Sequence, residues 1–420
     1  MVGGRPRRVI AVAVLALVAA GACTTDDAAA PPDEADTTTS TQRPDDGVLV
    51  IGAVLPSVGP GSEIGASMET ALTLGAAQAA GLADVGISEV QVVVREEGDN
   101  TSTAAGAVQS LIELGADAII GPTSSLAVLA TLSTAVEAGV LTCAPTASAI
   151  ALDGFPDDGL LFRTVPSDSL QADALARVVE SSGGSRAIVV FLDDAYGRPF
   201  GEAARSAVAR QGTAIVGAVG YVPSETSIAD TADEVAATDA DVVVVIADST
   251  SGPAIVQAID EASTRRLTYV VNDAVRRPDP ATQPFDASLA ARVFGASPMA
   301  RPTSAFLAEL RSVDPDATGL FAQNAYDCLT IVLLAALTTA STDPATMAAA
   351  IPEVTNSGTT CADFSSCRTA LAEGRNIDYE GPAGALSIDA GGEMVSAVFE
   401  RFGFDETGRD IALGLLRIGD

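Results

Sequence analysis

The chain of 420 residues contains no histidine and no tryptophan, and all 23 of its basic residues are arginine. Without histidine the usual base for activating a serine is missing, and without lysine the serine–lysine alternative is missing too. A zinc centre would rest on cysteine and carboxylate alone, and no two cysteines stand in a CxxC spacing. Hydrolytic and metal chemistry are therefore disfavoured, and no cofactor or metal is expected. Positive charge is also scarce: the net charge is −32. Arg5, Arg7 and Arg8 lie in the first 22 residues, and without them 20 Arg face 55 acids, a net −35. Such a chain is repelled by nucleic acid and by anionic headgroups, which excludes both as partners of its surface.

Long hydrophobic runs are missing as well. The apolar stretch 9–20 follows the three arginines, is too short to span a bilayer, and ends in Ala20-Gly21-Ala22-Cys23. A basic segment, a short apolar run and small residues read as an exported signal peptide over 1–22. The cysteine directly after the small residues resembles a bacterial lipobox, which makes Cys23 the expected lipidated N-terminus. Residues 23–46 (CTTDDAAAPPDEADTTTSTQRPDD) are poor in large apolar side chains and cannot bury enough surface to order themselves. They read as a lipid-anchored disordered linker with a reach on the order of 25 Å.

What remains is rich in structure. From Gly47 onward buried Val/Ile/Ala runs alternate with helix-like runs. Strands are expected at 48–56, 90–96, 116–122 and 140–146, with helices at 63–80, 102–114 and 125–138 between them. The rhythm resumes after Arg163, with helices at 170–180, 201–210, 228–237 and 252–262 and strands at 186–192, 213–221, 241–247 and 268–271. Continuous apolar strands such as DVVVVIA are buried on both faces, and alternation with helices implies doubly wound parallel sheets. Two segments share one design, ADAIIGPTSS (116–125) and ADVVVVIADSTS (240–251): Ala-Asp, a buried strand, then hydroxyls at a helix start. One lies in each half, so two lobes of like topology are expected, with a site at the carboxyl ends of their strands. GPGSEIG (59–65) has the wrong spacing for a dinucleotide loop and reads as a rim turn.

Four cysteines follow the lipobox. Export favours oxidation, and Cys361 and Cys367 flank a short polar loop, so a 361–367 bridge with 143–328 is the expected pairing among three connectivities. The hydroxyls Thr123, Ser124 and Ser125 are open to three readings: a nucleophile, an anion cradle, or a helix cap. A helix start offers free N–H groups and a positive dipole end to an anion, and a cap alone is worth about 1 kcal/mol.

IGAVLPSVGPGSEIG (51–65), IIGPTSSLAVLA (119–130), LTCAPTAS (141–148), FRTVPSDSLQADAL (162–175), VVFLDDAYGRPFGEA (189–203) and FAQNAYDCLTIVLLAAL (321–337) together resemble bacterial solute-binding proteins of the branched-chain amino-acid type. These are the substrate receptors of ABC importers. The resemblance spans residue 48 to about 418. It implies a type I periplasmic binding protein fold, two α/β lobes joined by a three-crossover hinge, with lobe 1 at 47–165 and 297–384 and lobe 2 at 166–296 and 385–420. It places a ligand carboxylate on Ser125 with Thr146 and Ser148, next to Ser124. It places an ammonium on Asp273, with Asp248 at the neighbouring strand end, and sets Asp168 and Tyr196 at the cleft. Ile64 and Asp248 stand where relatives often carry an aromatic over the ligand. The function it implies is a monomeric, lipid-anchored, extracytoplasmic receptor that hands a small amino-acid-like solute to a permease and is not an enzyme. The alternative is a sensor of the same fold that contacts a signalling partner. An exported hydrolase using Ser124 or Ser125 is a third reading, opposed by the missing bases.

Overall fold

Parallel pairing organises most of the chain. The computed structural model describes residues 45–79, 82–276, 285–298 and 301–419. The signal segment, Cys23 and the linker up to residue 44 lie outside the described residues. The first sheet has five parallel strands in the order β2-β1-β3-β4-β5: β1 (Val48–Leu55), β2 (Glu89–Glu96), β3 (Ala118–Ile120), β4 (Leu141–Ala144) and β5 (Leu161–Arg163). Helices α1 (Ser62–Gln78), α2 (Thr101–Leu114) and α3 (Ser125–Glu137) connect its strands.

The second sheet has seven strands. Its parallel part runs β10-β9-β8-β6-β7: β6 (Arg186–Leu192), β7 (Ala214–Tyr221), β8 (Val242–Ile246), β9 (Thr268–Val271) and β10 (Val293–Pro298). Helices α4 (Asp168–Ser182), α5 (Gly197–Arg210), α6 (Glu225–Ala237) and α7 (Gly252–Ala262) alternate with its strands, and a short α8 (Ala287–Ala290) precedes β10. All five residues of β8 are buried, as its unbroken apolar run requires.

Three passages join the sheets, after Arg163, after Pro298 and after Ala385. The second returns the chain to the first lobe through α9 (Ser304–Val313), α10 (Ala322–Thr339) and α11 (Pro344–Asn356). A three-stranded sheet of β11 (Thr359–Cys361), β12 (Ile377–Gly381) and β13 (Gly384–Ala385) follows, with α12 (Phe364–Ala372) between its first two strands. The third passage leads to β14 (Ala397–Phe404), which pairs antiparallel with β10, and β15 (Asp410–Ile418), which pairs antiparallel with β14. A tight hairpin can only return antiparallel, so this edge departs from the otherwise parallel pattern.

Helix α10 is apolar nearly all round because it is a core helix, packed against α1, α11 and α12. Among the described residues no single helix is long and apolar enough to cross a membrane. Disulfides join Cys143 to Cys328 and Cys361 to Cys367, with Cα separations of 5.8 and 5.1 Å. The pairing expected from export and loop length is the one present.

Candidate functional site

On the first lobe the site begins with a turn that only glycine can make. Gly121 closes β3 at φ +95°, and a Cβ there would stand 2.4 Å from the Val54 carbonyl oxygen. The chain then rises into α3. Ser124 is exposed and caps the helix, its hydroxyl accepting from the Ala127 N–H at 3.1 Å. The Thr146 hydroxyl donates to the Thr123 carbonyl at 2.8 Å, and the Ser125 hydroxyl accepts from the Ala149 N–H at 3.3 Å. The amides of Ser125 and Leu126 open the helix and have no carbonyl four residues back to bond. A residue that spacing alone did not single out lies beneath this turn. Glu97, buried at the end of β2, accepts from the Thr123 N–H and hydroxyl and from the Ser124 N–H at 2.6–3.0 Å. Its signal in the sequence is an acid directly after a half-buried apolar strand, in VVVREEG. A cavity of about 470 Å³ adjoins the turn, lined by Pro56, Val58, Glu97, Asp99, Ser124 and Leu126 among others.

On the second lobe five polar side chains converge. Asp168 opens α4, is only 1% exposed, and its amide donates to the Ser148 carbonyl of the first lobe at 2.8 Å. Neither of its carboxylate oxygens has a hydrogen-bond partner among the described residues. The Ser148 hydroxyl, nearby but outside hydrogen-bond geometry, lowers the carboxyl's pKa against that burial. Asp273 follows β9 and accepts from Gln171 Nε2 at 2.8 Å, while the same amide also donates to the Ala296 carbonyl. Fully buried Asn272 donates to the Tyr196 hydroxyl at 3.3 Å and is locked by two bonds to Ala247. Tyr196 is set by the turn before α5, where Asp194 accepts from its N–H and from that of Gly197. α5 packs against the 150–152 turn of the first lobe.

Burial pushes the Asp168 carboxyl well above the usual range, and the charge of Asp273 pushes the same way. Asp273 is also raised by burial, against the lowering effect of the Gln171 bond. Tyr196 is raised well above an ordinary phenol by burial and by the charges of Asp168 and Asp273. Ser148, Asp168, Tyr196 and Asp273 thus form one polar seam where the lobes meet.

The remaining expected residues make other contacts. Asp248 uses Oδ1 to accept from the Thr250 and Ser251 N–H groups at 2.7 and 2.6 Å, closing the turn that leads into α7. Ile64 is half-buried on α1 and packs against the main core. Gln171 and Asn272 were legible only as letters inside PSDSLQ and YVVND; their partners lie 102 and 76 residues away.

Two doubly wound lobes, three crossings and a polar seam at the strand ends define the type I periplasmic binding fold. A family model described as periplasmic binding protein matches residues 48–391. The substrate-binding protein BasB of a chemotactic signal transduction system in Halobacterium salinarum is 27% identical over 367 residues, 83% of this chain and 85% of that one. The substrate-binding protein LivJ of a branched-chain amino acid transporter from Streptococcus pneumoniae, solved with isoleucine, superposes with a TM-score of 0.67 at 17% identity, covering 89% of this chain and all of that one. A solute-binding protein of an ABC transporter from R. palustris, solved with 4-hydroxybenzoate, gives 0.68 at 18% identity, covering 89% and 97%. The chain belongs to the periplasmic binding protein family, a family of solute receptors and not of enzymes.

Proposed function

We propose that this protein captures a small amino acid between its two lobes for an ABC importer, held outside the cell membrane by a lipid on Cys23. The observation that carries this reading is Asp168: a buried carboxylate with no hydrogen-bond partner among the described residues, beside Asp273 and Tyr196 where the lobes meet. A buried charge is sustained by a partner of opposite sign, and a solute ammonium supplies one. The solute carboxylate goes to the start of α3, where Ser125 and the helix amides face Ser148 and Thr146. Lobe boundaries at 165–166, 296–297 and 384–385 belong to this reading, with closure about the three passages, as in the hinge motion long described for periplasmic binding proteins. The side chain of the solute enters the cavity beside Val58 and Leu126, where Glu97 and Asp99 disfavour an acidic one.

A thermal-shift screen of the standard amino acids, simple amines and aromatic acids tests it. Stabilisation by amino acids supports the reading. Stabilisation by benzoates alone sinks it, because an aromatic acid carries no cation for the acid pair. A sensory role is favoured as the second reading by the chemotactic relative. Deleting the gene separates the two: loss of labelled solute uptake marks an importer, and loss of taxis with uptake intact marks a sensor.

A further inference from the structure

The second sheet ends in an open, apolar edge. β15 is its outermost strand and pairs only with β14 among the described residues. The strand reads DIALGLLRI, and residues 411–415 are exposed one after another. No charge and no proline stands between 411 and 416. With Val395, which lies beside Gly419, the side chains of Ile411, Leu413 and Leu415 make up four of the nine exposed large apolar ones among the described residues. The register shifts between Arg401 and Phe402, so Ile411 stands across from Gly403 and Leu415 across from Glu400. Those partners are three residues apart on β14, which puts Ile411 and Leu415 on opposite faces of the sheet. Apolar side chains therefore flank the edge on both faces. The outward N–H and C=O groups of the strand bond nothing else among the described residues. A long apolar edge of this kind is a template for another strand, and chains that stay apart blunt it with charge or proline.

We infer that β15 is a contact between two copies of this chain, joined edge to edge and antiparallel into one sheet with seven strands from each copy. Charge selects this occupant and this direction. Copies of a chain with a net charge of −32 repel each other, so they can meet only where acid is missing, as it is along 411–416. The two ends of the strand carry opposite charge. Arg417 is exposed and has no ion-pair partner among the described residues, while the turn between β14 and β15 carries Asp405 and exposed Glu406. A twofold axis through the middle of β15 lays Arg417 of each copy against the acidic turn of the other, once at either end. The dimer takes the place of the monomer that the family resemblance implied. One strand per copy is at the small end of specific interfaces, so the pairing is reversible.

The test uses the whole mature chain, prepared without an acyl group at Cys23 so that no lipid contributes to association. Sedimentation velocity over a series of protein concentrations should show a monomer–dimer equilibrium and nothing larger, because twofold pairing consumes the edge. Amide exchange over 411–417 should slow as the dimer forms. Leu415 is 64% exposed, so Leu415→Glu leaves the fold intact and sets an acid from each copy into the apolar contact. The dissociation constant of the dimer should rise about tenfold or more. Arg417→Glu should weaken pairing as well. Glu406→Arg should also weaken it, although it lowers the net negative charge, and the two changes together should restore it. That pattern separates facing charges from general repulsion. A monomer at every concentration overturns the inference, whether its edge amides exchange freely or are covered by another part of the chain. A dimer that Leu415→Glu and Arg417→Glu leave unchanged overturns it too, because the contact then lies elsewhere, and so do oligomers that grow without limit.

Discussion

Asp273 and Ser125 lie at opposite poles of the proposed solute, and their truncation should differ in kind. Asp273→Asn keeps shape but removes a charge that the ammonium needs in a desolvated seam, and it frees Gln171 of its ionic partner. Calorimetry should show a loss of about 2–5 kcal/mol in affinity, roughly 30-fold or more. Ser125→Ala removes one hydrogen bond to a charged group and should cost less, about 1.5–3 kcal/mol. Equal losses would mean that the cation is held elsewhere. A third residue is independent of the solute. Asp327, in the body of the first lobe, accepts from the Tyr379 hydroxyl at 2.6 Å and from the Ala383 N–H at 3.0 Å, and burial pushes its carboxyl up to about 8. The folded protein therefore holds this proton where the unfolded chain has lost it. Stability from this group is full below the unfolded value near 4 and is lost as pH rises toward 8, by up to about 1.4 kcal/mol per pH unit. Denaturant melts of Asp327→Asn should show a shallower decline between pH 5 and 8 than the parent.

The start of α3 separates capping from binding. Ser124 caps the helix from an exposed position, so Ser124→Ala should lower stability by about 1 kcal/mol and leave solute affinity nearly unchanged. A large loss of affinity with stability intact would instead place its hydroxyl on the solute. The two disulfides differ in reach. Cys143–Cys328 ties β4 to α10 across 185 residues, and Cys361–Cys367 closes a loop of six. Chain entropy assigns about 5 kcal/mol to the first and about 2–3 kcal/mol to the second. Replacing each pair by alanine should therefore lower the thermal midpoint far more for the long-range bridge. Its effect should also reach the hinge, because Thr164, at the start of the first passage, contacts Cys328 and bonds the Asn324 carbonyl.

At the scale of the molecule, lobe closure and anchoring make separate predictions. Solute binding between lobes should reduce the radius of gyration in solution scattering, and Asp273→Asn should require more solute for the same change. Acylation at Cys23 predicts that labelled palmitate enters the wild type, while Cys23→Ala releases the protein from membranes. Failure to incorporate the label would leave an ordinary secreted receptor. The deep negative charge of the mature chain lies mostly on solvated faces, and raised salt should change affinity little if the seam is as desolvated as Asp168 implies.

Local pattern was enough to determine the fold class. Buried runs such as DVVVVIA, the glycine turn at 121 and the export-linked cysteines follow from hydrogen-bonding periodicity and compartment, which are properties of short stretches. The absence of histidine and lysine likewise ruled against catalysis before any coordinates. The tertiary structure alone decided the rest. It put Glu97 under a turn 26 residues on, Arg163 against Glu393 230 residues away, and Gln171 on Asp273. It also laid β14 antiparallel on β10 and turned Asp248 onto the two amides just before α7. Those pairings depend on which strand ends the crossovers bring together, and a carboxylate at one strand end carries no local mark of the partner it will meet.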